Sequence, residues 1–287
     1  MTTRKKAGDA ASASLGSGLG TRFRLRVGVP AWLLLAAAAV PMTLLPGLVQ
    51  ADEPPAKAEA PQLAVTPSAP VTPVPPEYDL PLAEKSGKAT LILAGGCYWG
   101  MQALFQHVKG VSNVTAGYAG GLKSTAEYAK VIGGGTGHAE SVLIEYDPSR
   151  LSIGTLLQIY FFVAHDPTQL NRQGPDIGSQ YRSTIFTDSK DEARVAVAYM
   201  NQIDALKLLP HPIVTKMRPL FPFYRAEGYH QNFVQNHPKQ RYVLVNDLPK
   251  LARLKEAFPK LWREQPLRYE PEENKRTKLL PPPTLSQ

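Results

Sequence analysis

One cysteine, Cys97, serves the whole of a 287-residue chain. No intramolecular disulfide can form, so the fold must rest on a buried apolar core rather than on cross-links. The cysteine sits in Gly95-Gly96-Cys97-Tyr98-Trp99-Gly100. The apolar run Ala89 to Ala94 before it suits a buried strand. After it, Met101, Leu104, Phe105 and Val108 recur at helical spacing, and Gly110 supplies a stop. Cys97 therefore falls at a strand-to-helix turn. A thiol there faces unpaired backbone N–H groups and the positive end of the helix dipole, and both favour the nucleophilic thiolate. Gly95 and Gly96 let the backbone turn tightly and leave the sulfur uncovered. Tyr98 and Trp99 can build an apolar wall beside it. Taken alone, a lone cysteine is more often a small buried hydrophobe, so a reactive role needs support from elsewhere.

The composition, 43% hydrophobic and 20% charged, allows one substantial domain with flanking segments. Residues 1–26 are basic and rich in Gly, Ser and Ala; residues 27–49 are almost wholly apolar. Val49-Gln50-Ala51 then offers small residues at the two positions an export peptidase reads. Residues 1–51 are expected to be a secretory signal peptide cleaved after Ala51. The alternative is an N-terminal membrane anchor, which Pro30, Pro41 and Pro46 disfavour. Either places the chain outside the cytoplasm, in the periplasm or anchored facing it, with membrane contact only if the leader is uncleaved. No cysteine adjoins the apolar run, which excludes a lipoprotein anchor there. The net charge of +8 belongs mostly to this leader, where Arg4, Lys5, Lys6, Arg22, Arg24 and Arg26 face only Asp9. The rest is too nearly neutral for a nucleic-acid binder.

Residues 52–84 read as a Pro/Ala-rich linker, an extended spacer without a core of its own. Residues 85–262 read as the folded domain, and residues 263–287 as a charged, Pro-rich tail expected to be poorly ordered. Within the domain, strands are expected at Val111 to Tyr118, Ser141 to Tyr146, Ser183 to Thr187 and Ile213 to Lys216. Helices are expected at Thr155 to His165, at Lys190 to about Lys207 behind a Ser189 cap, and at Pro249 to Leu261. Arg172 to Tyr181 reads as a polar loop. This interleaving points to α+β or mixed α/β architecture.

Three further segments carry chemistry. Gly137-His138-Ala139-Glu140 sets a carboxylate at the mouth of a strand. His165-Asp166-Pro167-Thr168 closes a helix. Asp176 and Tyr181 lie five apart in a glycine-containing loop. Each has a bland reading: Glu140 a solvated charge, Asp176 a turn residue, Tyr128 and Tyr181 half-buried aromatics, His138 and His165 structural hydrogen-bonders. Together with Cys97, however, the ordered motifs Gly-Cys-Tyr-Trp-Gly, Thr136-Gly137-His138-Ala139-Glu140, His165-Asp166-Pro167-Thr168 and Tyr181-Arg182-Ser183 resemble the A-type peptide methionine sulfoxide reductases. The resemblance spans roughly residues 85–262 and includes Gly117-Tyr118-Ala119-Gly120-Gly121 and Tyr229-His230-Gln231-Asn232.

The resemblance implies an α+β fold, a two-layer sandwich around a central mixed β-sheet with helices packed on it and long irregular segments. It implies stereospecific reduction of methionine (S)-sulfoxide, in proteins and as the amino acid, by Cys97 through a sulfenic acid. Glu140, buried beside the thiol, would be protonated and donate to the departing oxygen. Tyr128 and Tyr181 would add phenolic donors, and Asp176 would help organise water and the thiol. Tyr98 and Trp99 would enclose the substrate methyl group, with Gly96 and His138 in the same substrate-binding set. The family motif commonly has Phe at the position of Tyr98, and many members carry further cysteines that resolve the sulfenic acid. This chain has none, so an external thiol, from a thioredoxin-like protein or a small molecule, must restore Cys97. No bound cofactor or metal is expected, and without zinc-ligand cysteine pairs the protein should be monofunctional. Oxidised proteins are the expected partners, and nothing requires more than a monomer. The competing readings are a one-cysteine thiol peroxidase and a catalytically retired module that binds methionine sulfoxide.

Overall fold

The computed structural model describes residues 72–220 and 222–270. The leader, the first part of the linker and residues 271–287 of the tail lie outside the described residues. Six strands form one sheet in the order β7-β6-β1-β3-β2-β8. They are β1 (Ala89–Ala94), β2 (Val111–Ala119), β3 (Ala139–Tyr146), β6 (Thr184–Phe186), β7 (Lys216–Arg218) and β8 (Tyr224–Arg225), with a separate two-residue hairpin of β4 (Arg172–Gln173) and β5 (Asp176–Ile177). Neighbours run antiparallel except β6 and β7, which pair in parallel through Ile185 and Met217. The sheet is mixed and helices pack on it, so the architecture is α+β.

β1 is central and buried on both faces. Leu91 and Leu93 join the main core, while Ile92 and Ala94 join a smaller cluster with Ala119, Ala139 and Phe186. Such a strand has no need to alternate apolar with polar, which is why it reads as a continuous apolar run. Helix α1 (Tyr98–Gln106) is buried along its entire length. Its sheet side lies on β2 and β3, and its other side meets two C-terminal helices, α5 (Phe233–Asn236) and α6 (Leu248–Ala257). Burial all round takes Gln102 and Gln106 out of water, where an unsatisfied amide costs about 1–3 kcal/mol. Both are satisfied. Gln102 Nε2 donates to the Val114 carbonyl and to Gln231 Oε1, both at 2.9 Å, and Gln106 Nε2 donates to Asn232 Oδ1 at 2.8 Å.

The remaining helices are α2 (Tyr128–Val131), α3 (Ile153–Ile159) and α4 (Lys190–Ala205). Helix α3 continues as a wider turn over Tyr160–Ala164, so the expected single helix to His165 changes pitch midway. Ser189 caps α4 as expected, its Oγ accepting the Glu192 amide at 3.3 Å. Strand β3 begins two residues earlier than the apolar run suggested, which places Glu140 inside the sheet, opposite Tyr118, rather than at a strand mouth. The Ile213 to Lys216 strand is displaced to Lys216–Arg218, and the Arg172 to Tyr181 loop contains the β4–β5 hairpin.

Two flanking expectations change. The linker residues from Pro73 to Ala83 are docked, not free-standing. The Tyr199 hydroxyl donates to the Val74 carbonyl, Gln202 Nε2 donates to the Pro75 carbonyl at 3.0 Å, and Asp79 Oδ1 accepts the Gly154 amide at 2.9 Å. The start of the tail is likewise held against α1, with the Arg263 amide on the His107 carbonyl at 2.7 Å and the Leu267 amide on the Gln106 carbonyl at 3.0 Å. In both cases distant side chains and carbonyls supply partners that a Pro-rich or charged segment lacks within itself. Among the described residues, no helix is long and apolar enough to cross a membrane.

Candidate active site

The thiol residue sits where β1 ends and α1 begins. Gly96 takes φ of +97° in this turn, and a Cβ there would stand 2.6 Å from Gln173 Cγ. Gln173 cannot swing away without loss, because its amide oxygen accepts the Asp166 N–H at 3.1 Å and its amide nitrogen donates to the Asp166 carbonyl at 3.0 Å. The β4–β5 hairpin is thereby clamped against the turn. Cys97 is the residue preceding α1, at the positive end of a fully buried helix. It is 1% exposed. The expectation of an uncovered sulfur is therefore corrected: the glycines create room for the turn, and neighbouring segments close over it, every residue from Leu91 to Val108 being buried.

Glu140 comes to the same place from β3. It is 1% exposed, and its Oε2 accepts the Tyr98 N–H, the first amide of α1, at 3.1 Å. The carboxyl thus occupies the helix end that carries Cys97. Tyr98 is wholly buried, and burial, with the neighbouring Glu140 and Tyr118, raises its pKa well above the ordinary range, so its phenol stays neutral.

Trp99 is fixed from three sides. Its indole N–H donates to His230 Nδ1 at 3.1 Å. Its ring stacks on Phe233 at 3.6 Å between centroids, and the Tyr242 ring stands edge-on at 5.8 Å. His230 is held by the segment that carries it. Gln231 bonds the Ala116 amide at 3.0 Å and the Ala116 carbonyl at 2.9 Å, filling the place of a strand residue beside β2. Tyr128 begins α2 with its ring 4.5 Å from that of His230. It is buried, and its amide donates to Glu227 Oε1 at 2.8 Å.

Asp176 lies in β5, buried, and accepts a hydrogen bond from the Tyr242 hydroxyl. Burial, reinforced by the charges of Cys97, Asp176 and Asp247, raises the Tyr242 pKa well above its usual value. Cys97, Asp176, Tyr242 and Asp247 therefore form one electrostatic neighbourhood. Asp247 approaches α1 so closely that a Cβ on Gly100 would stand 2.2 Å from its Oδ1, and Lys250 Nζ lies 4.0 Å from the same oxygen. Tyr181, also buried, ends a short turn anchored by the next residue: the Arg182 guanidinium donates to the carbonyls of Gly137, His138 and Ser179 at 2.8, 3.0 and 2.8 Å. One cation therefore ties the turn of Tyr181 to the loop that leads into Glu140.

His138 stands in a different setting from the residues around α1. Its Nε2 lies 3.0 Å from the Leu122 carbonyl, its ring is edge-on to Tyr224, and burial lowers its pKa. Since a carbonyl only accepts, Nε2 carries the proton of a neutral ring. This contact ties His138 to the loop after β2. His165 is likewise buried and neutral, with Nδ1 2.9 Å from the Tyr160 carbonyl and Nε2 2.7 Å from Ser183 Oγ.

Reasoning from sequence missed Glu227, Tyr242, Asp247 and Lys250. Tyr242 stands in Lys239-Gln240-Arg241-Tyr242, which has neither periodicity nor a glycine turn to single it out. The one usable signal was the proximity of Glu227 to the Tyr229-His230-Gln231-Asn232 motif. Among the described residues, no group of three or more His, Cys, Asp or Glu is arranged to hold a metal ion.

Comparison with known proteins bears on this site. The sequence model of the family described as peptide methionine sulfoxide reductase matches residues 89–262. The chain is 55% identical over 181 residues to the peptide methionine sulfoxide reductase MsrA 2 of Mesorhizobium japonicum, covering 63% of this chain and 93% of that protein. It is 49% identical over 172 residues to the MsrA 2 of Synechocystis sp., covering 60% and 80% respectively. A solved structure of methionine sulfoxide reductase A of Corynebacterium diphtheriae is 32% identical, with a TM-score of 0.45 over 60% of this chain and 87% of that one.

Proposed function

This chain belongs to the A-type peptide methionine sulfoxide reductases, and on that premise we propose that Cys97 reduces methionine (S)-sulfoxide with Glu140 as the proton donor. The observation that carries this reading is the Glu140 carboxyl on the first amide of the helix that Cys97 begins. The helix end favours the thiolate. Burial of Glu140 disfavours its charged form, against the pull of the Tyr98 amide, and in this scheme its protonated form meets the substrate oxygen.

The Cys97 sulfur attacks the sulfoxide sulfur while the oxygen is protonated, with Tyr128 and Tyr181 donating hydrogen bonds to it. Two protons carry the oxygen away as water when its bond to sulfur breaks, and water then cleaves the new sulfur–sulfur bond: methionine leaves, one proton is released and Cys97 remains as a sulfenic acid. Asp176, oriented by the Tyr242 hydroxyl, organises water and the thiol. Tyr98 and Trp99 enclose the methyl group, and the rigid seating of Trp99 supports selection of one sulfoxide epimer. Because the chain has one cysteine, no internal disulfide forms. Two external thiols, from a thioredoxin-like protein or a small molecule, reduce the sulfenic acid and leave as a disulfide with release of water.

The basic, then apolar, residues 1–49 ahead of Val49-Gln50-Ala51 support export of this repair activity to the periplasm, with the leader cleaved or kept as an anchor. N-terminal sequencing of the protein from that compartment reads the outcome, and an intact leader on soluble cytosolic protein contradicts it.

Incubation with a racemic methionine sulfoxide peptide and dithiothreitol tests the chemistry. The wild type should consume the S epimer alone, and Cys97→Ser should consume neither. Turnover by Cys97→Ser, or loss of both epimers, overturns the assignment.

A further inference from the structure

A continuous line of hydrogen bonds joins Tyr98 to Tyr128 through Tyr118 and Glu227, two residues that have no part in the scheme above. Glu227 follows β8 and begins the turn Gly228–His230. Its Oε1 accepts the Tyr128 amide at 2.8 Å and its Oε2 accepts the Tyr118 hydroxyl at 2.8 Å. The Tyr118 oxygen is in turn 3.3 Å from the Tyr98 hydroxyl. The direction of the line is fixed by chemistry. Tyr118 gives its only proton to a carboxylate, so its oxygen is the acceptor for Tyr98. Burial works against the Glu227 charge, but bonds from the Tyr128 amide and the Tyr118 hydroxyl, with His230 nearby, bring its pKa below the ordinary value. Burial raises both phenols, so the line consists of two neutral donors ending on an anion.

We propose that Glu227 is a positioning residue for sulfoxide reduction: it holds Tyr128 by the backbone and couples it, through Tyr118, to the Tyr98 ring. This rests on the reading of Tyr128 as a donor to the sulfoxide oxygen. The line accounts for the hydroxyl at position 98, which is turned to Tyr118 instead of adding a polar group to the methyl pocket. It also joins the two halves of substrate recognition. The turn that Glu227 begins carries His230, which seats Trp99, so one short segment sets both the oxygen donor and the methyl pocket. Charge-assisted bonds at both carboxylate oxygens make the arrangement stiff.

Steady-state kinetics of the full chain on a methionine (S)-sulfoxide peptide with dithiothreitol test the proposal. Glu227→Ala should lower kcat about tenfold at constant KM, the equivalent of ~1.4 kcal/mol from the loss of positioned hydrogen bonds. Alkylation of Cys97 by iodoacetamide should proceed at the wild-type rate, reporting an intact thiol site. Glu227→Gln keeps an acceptor oxygen for the Tyr128 amide and puts an NH2 donor opposite the Tyr118 oxygen, reversing that bond without removing it, and should recover most of the rate. Tyr98→Phe should cost about threefold in the wild type and nothing further in Glu227→Ala, the non-additivity expected within one network. If Glu227→Ala does not fold, Tyr118→Phe serves instead, since it cuts Tyr98 from Glu227 and leaves the Tyr128 amide bonded; the Tyr98→Phe effect should vanish in that background too. Additive losses, a change in KM alone, or full kcat in Glu227→Ala would overturn the positioning role. Full kcat in Tyr128→Phe would instead remove the underlying reading of Tyr128.

Discussion

The Tyr98 amide donates to Glu140 Oε2 at 3.1 Å across 42 residues of sequence. Strand register explains how they meet. β1 and β3 pair antiparallel with Leu93 opposite Val142, so continuing that register sets Glu140 opposite Gly95, at the end of the sheet where the Cys97 turn begins. The carboxyl and the thiol turn are brought together by the most central pairing in the fold, not by a mobile loop.

Glu140→Gln isolates the proton from the geometry. Glutamine keeps an oxygen for the Tyr98 amide and has no acidic proton to give. The rate with methionine (S)-sulfoxide should fall about a hundredfold, while Cys97 alkylation stays near its wild-type rate. A variant that turns over normally would show that Glu140 serves only to cap α1.

Gly96→Ala should damage both stability and activity. The residue takes φ of +97°, and the new methyl group would stand 2.6 Å from Gln173 Cγ. Strain of this kind costs about 2 kcal/mol, and relief requires the β4–β5 hairpin carrying Asp176 to shift. Thermal unfolding should show a lower Tm and kinetics a lower kcat. A variant with unchanged Tm would mean that the turn has another conformation open to it.

His165 makes the fold acid-sensitive. Burial, with the Lys250 charge adding to it, lowers its pKa from 6.5 to about 4. The unfolded chain binds a proton near pH 6.5 and the folded one only near pH 4. Stability is therefore unaffected above the first value and falls as pH drops toward the second, by on the order of 3 kcal/mol in all. Tm measured through that window should fall more steeply for the wild type than for His165→Gln, whose amide can bond both the Tyr160 carbonyl and Ser183 without titrating. Equal slopes would contradict a neutral buried imidazole.

Much of the frame was legible along the chain. A six-residue apolar run, a glycine pair and a helical apolar period marked β1, the turn and α1, and Ser189 with Glu192 marked the start of α4. These are local signals, set by side-chain period and capping chemistry. The docking of the described end of the Pro-rich stretch was not legible because its partners, Tyr199 and Gln202, sit on α4, more than a hundred residues away. Tyr242 and Glu227 escaped for the same reason. Nothing near Tyr242 marks it, Glu227 has only the adjoining Tyr229-His230-Gln231-Asn232 motif, and each gains its role from a partner on another element, Asp176 or Tyr128.

The sequence by itself determined that this chain has one thiol, placed at the start of a helix, and that any sulfenic acid formed there must be reduced from outside. Cysteine count and local turn chemistry need no coordinates. Only the tertiary structure decided that the thiol is enclosed, that Glu140 lies on the first amide of its helix, and that Glu227 links Tyr128 to Tyr98. Those relations depend on burial by segments far apart in the chain and on strand register, where a shift of one residue would turn Glu140 or Tyr118 to the opposite face of the sheet.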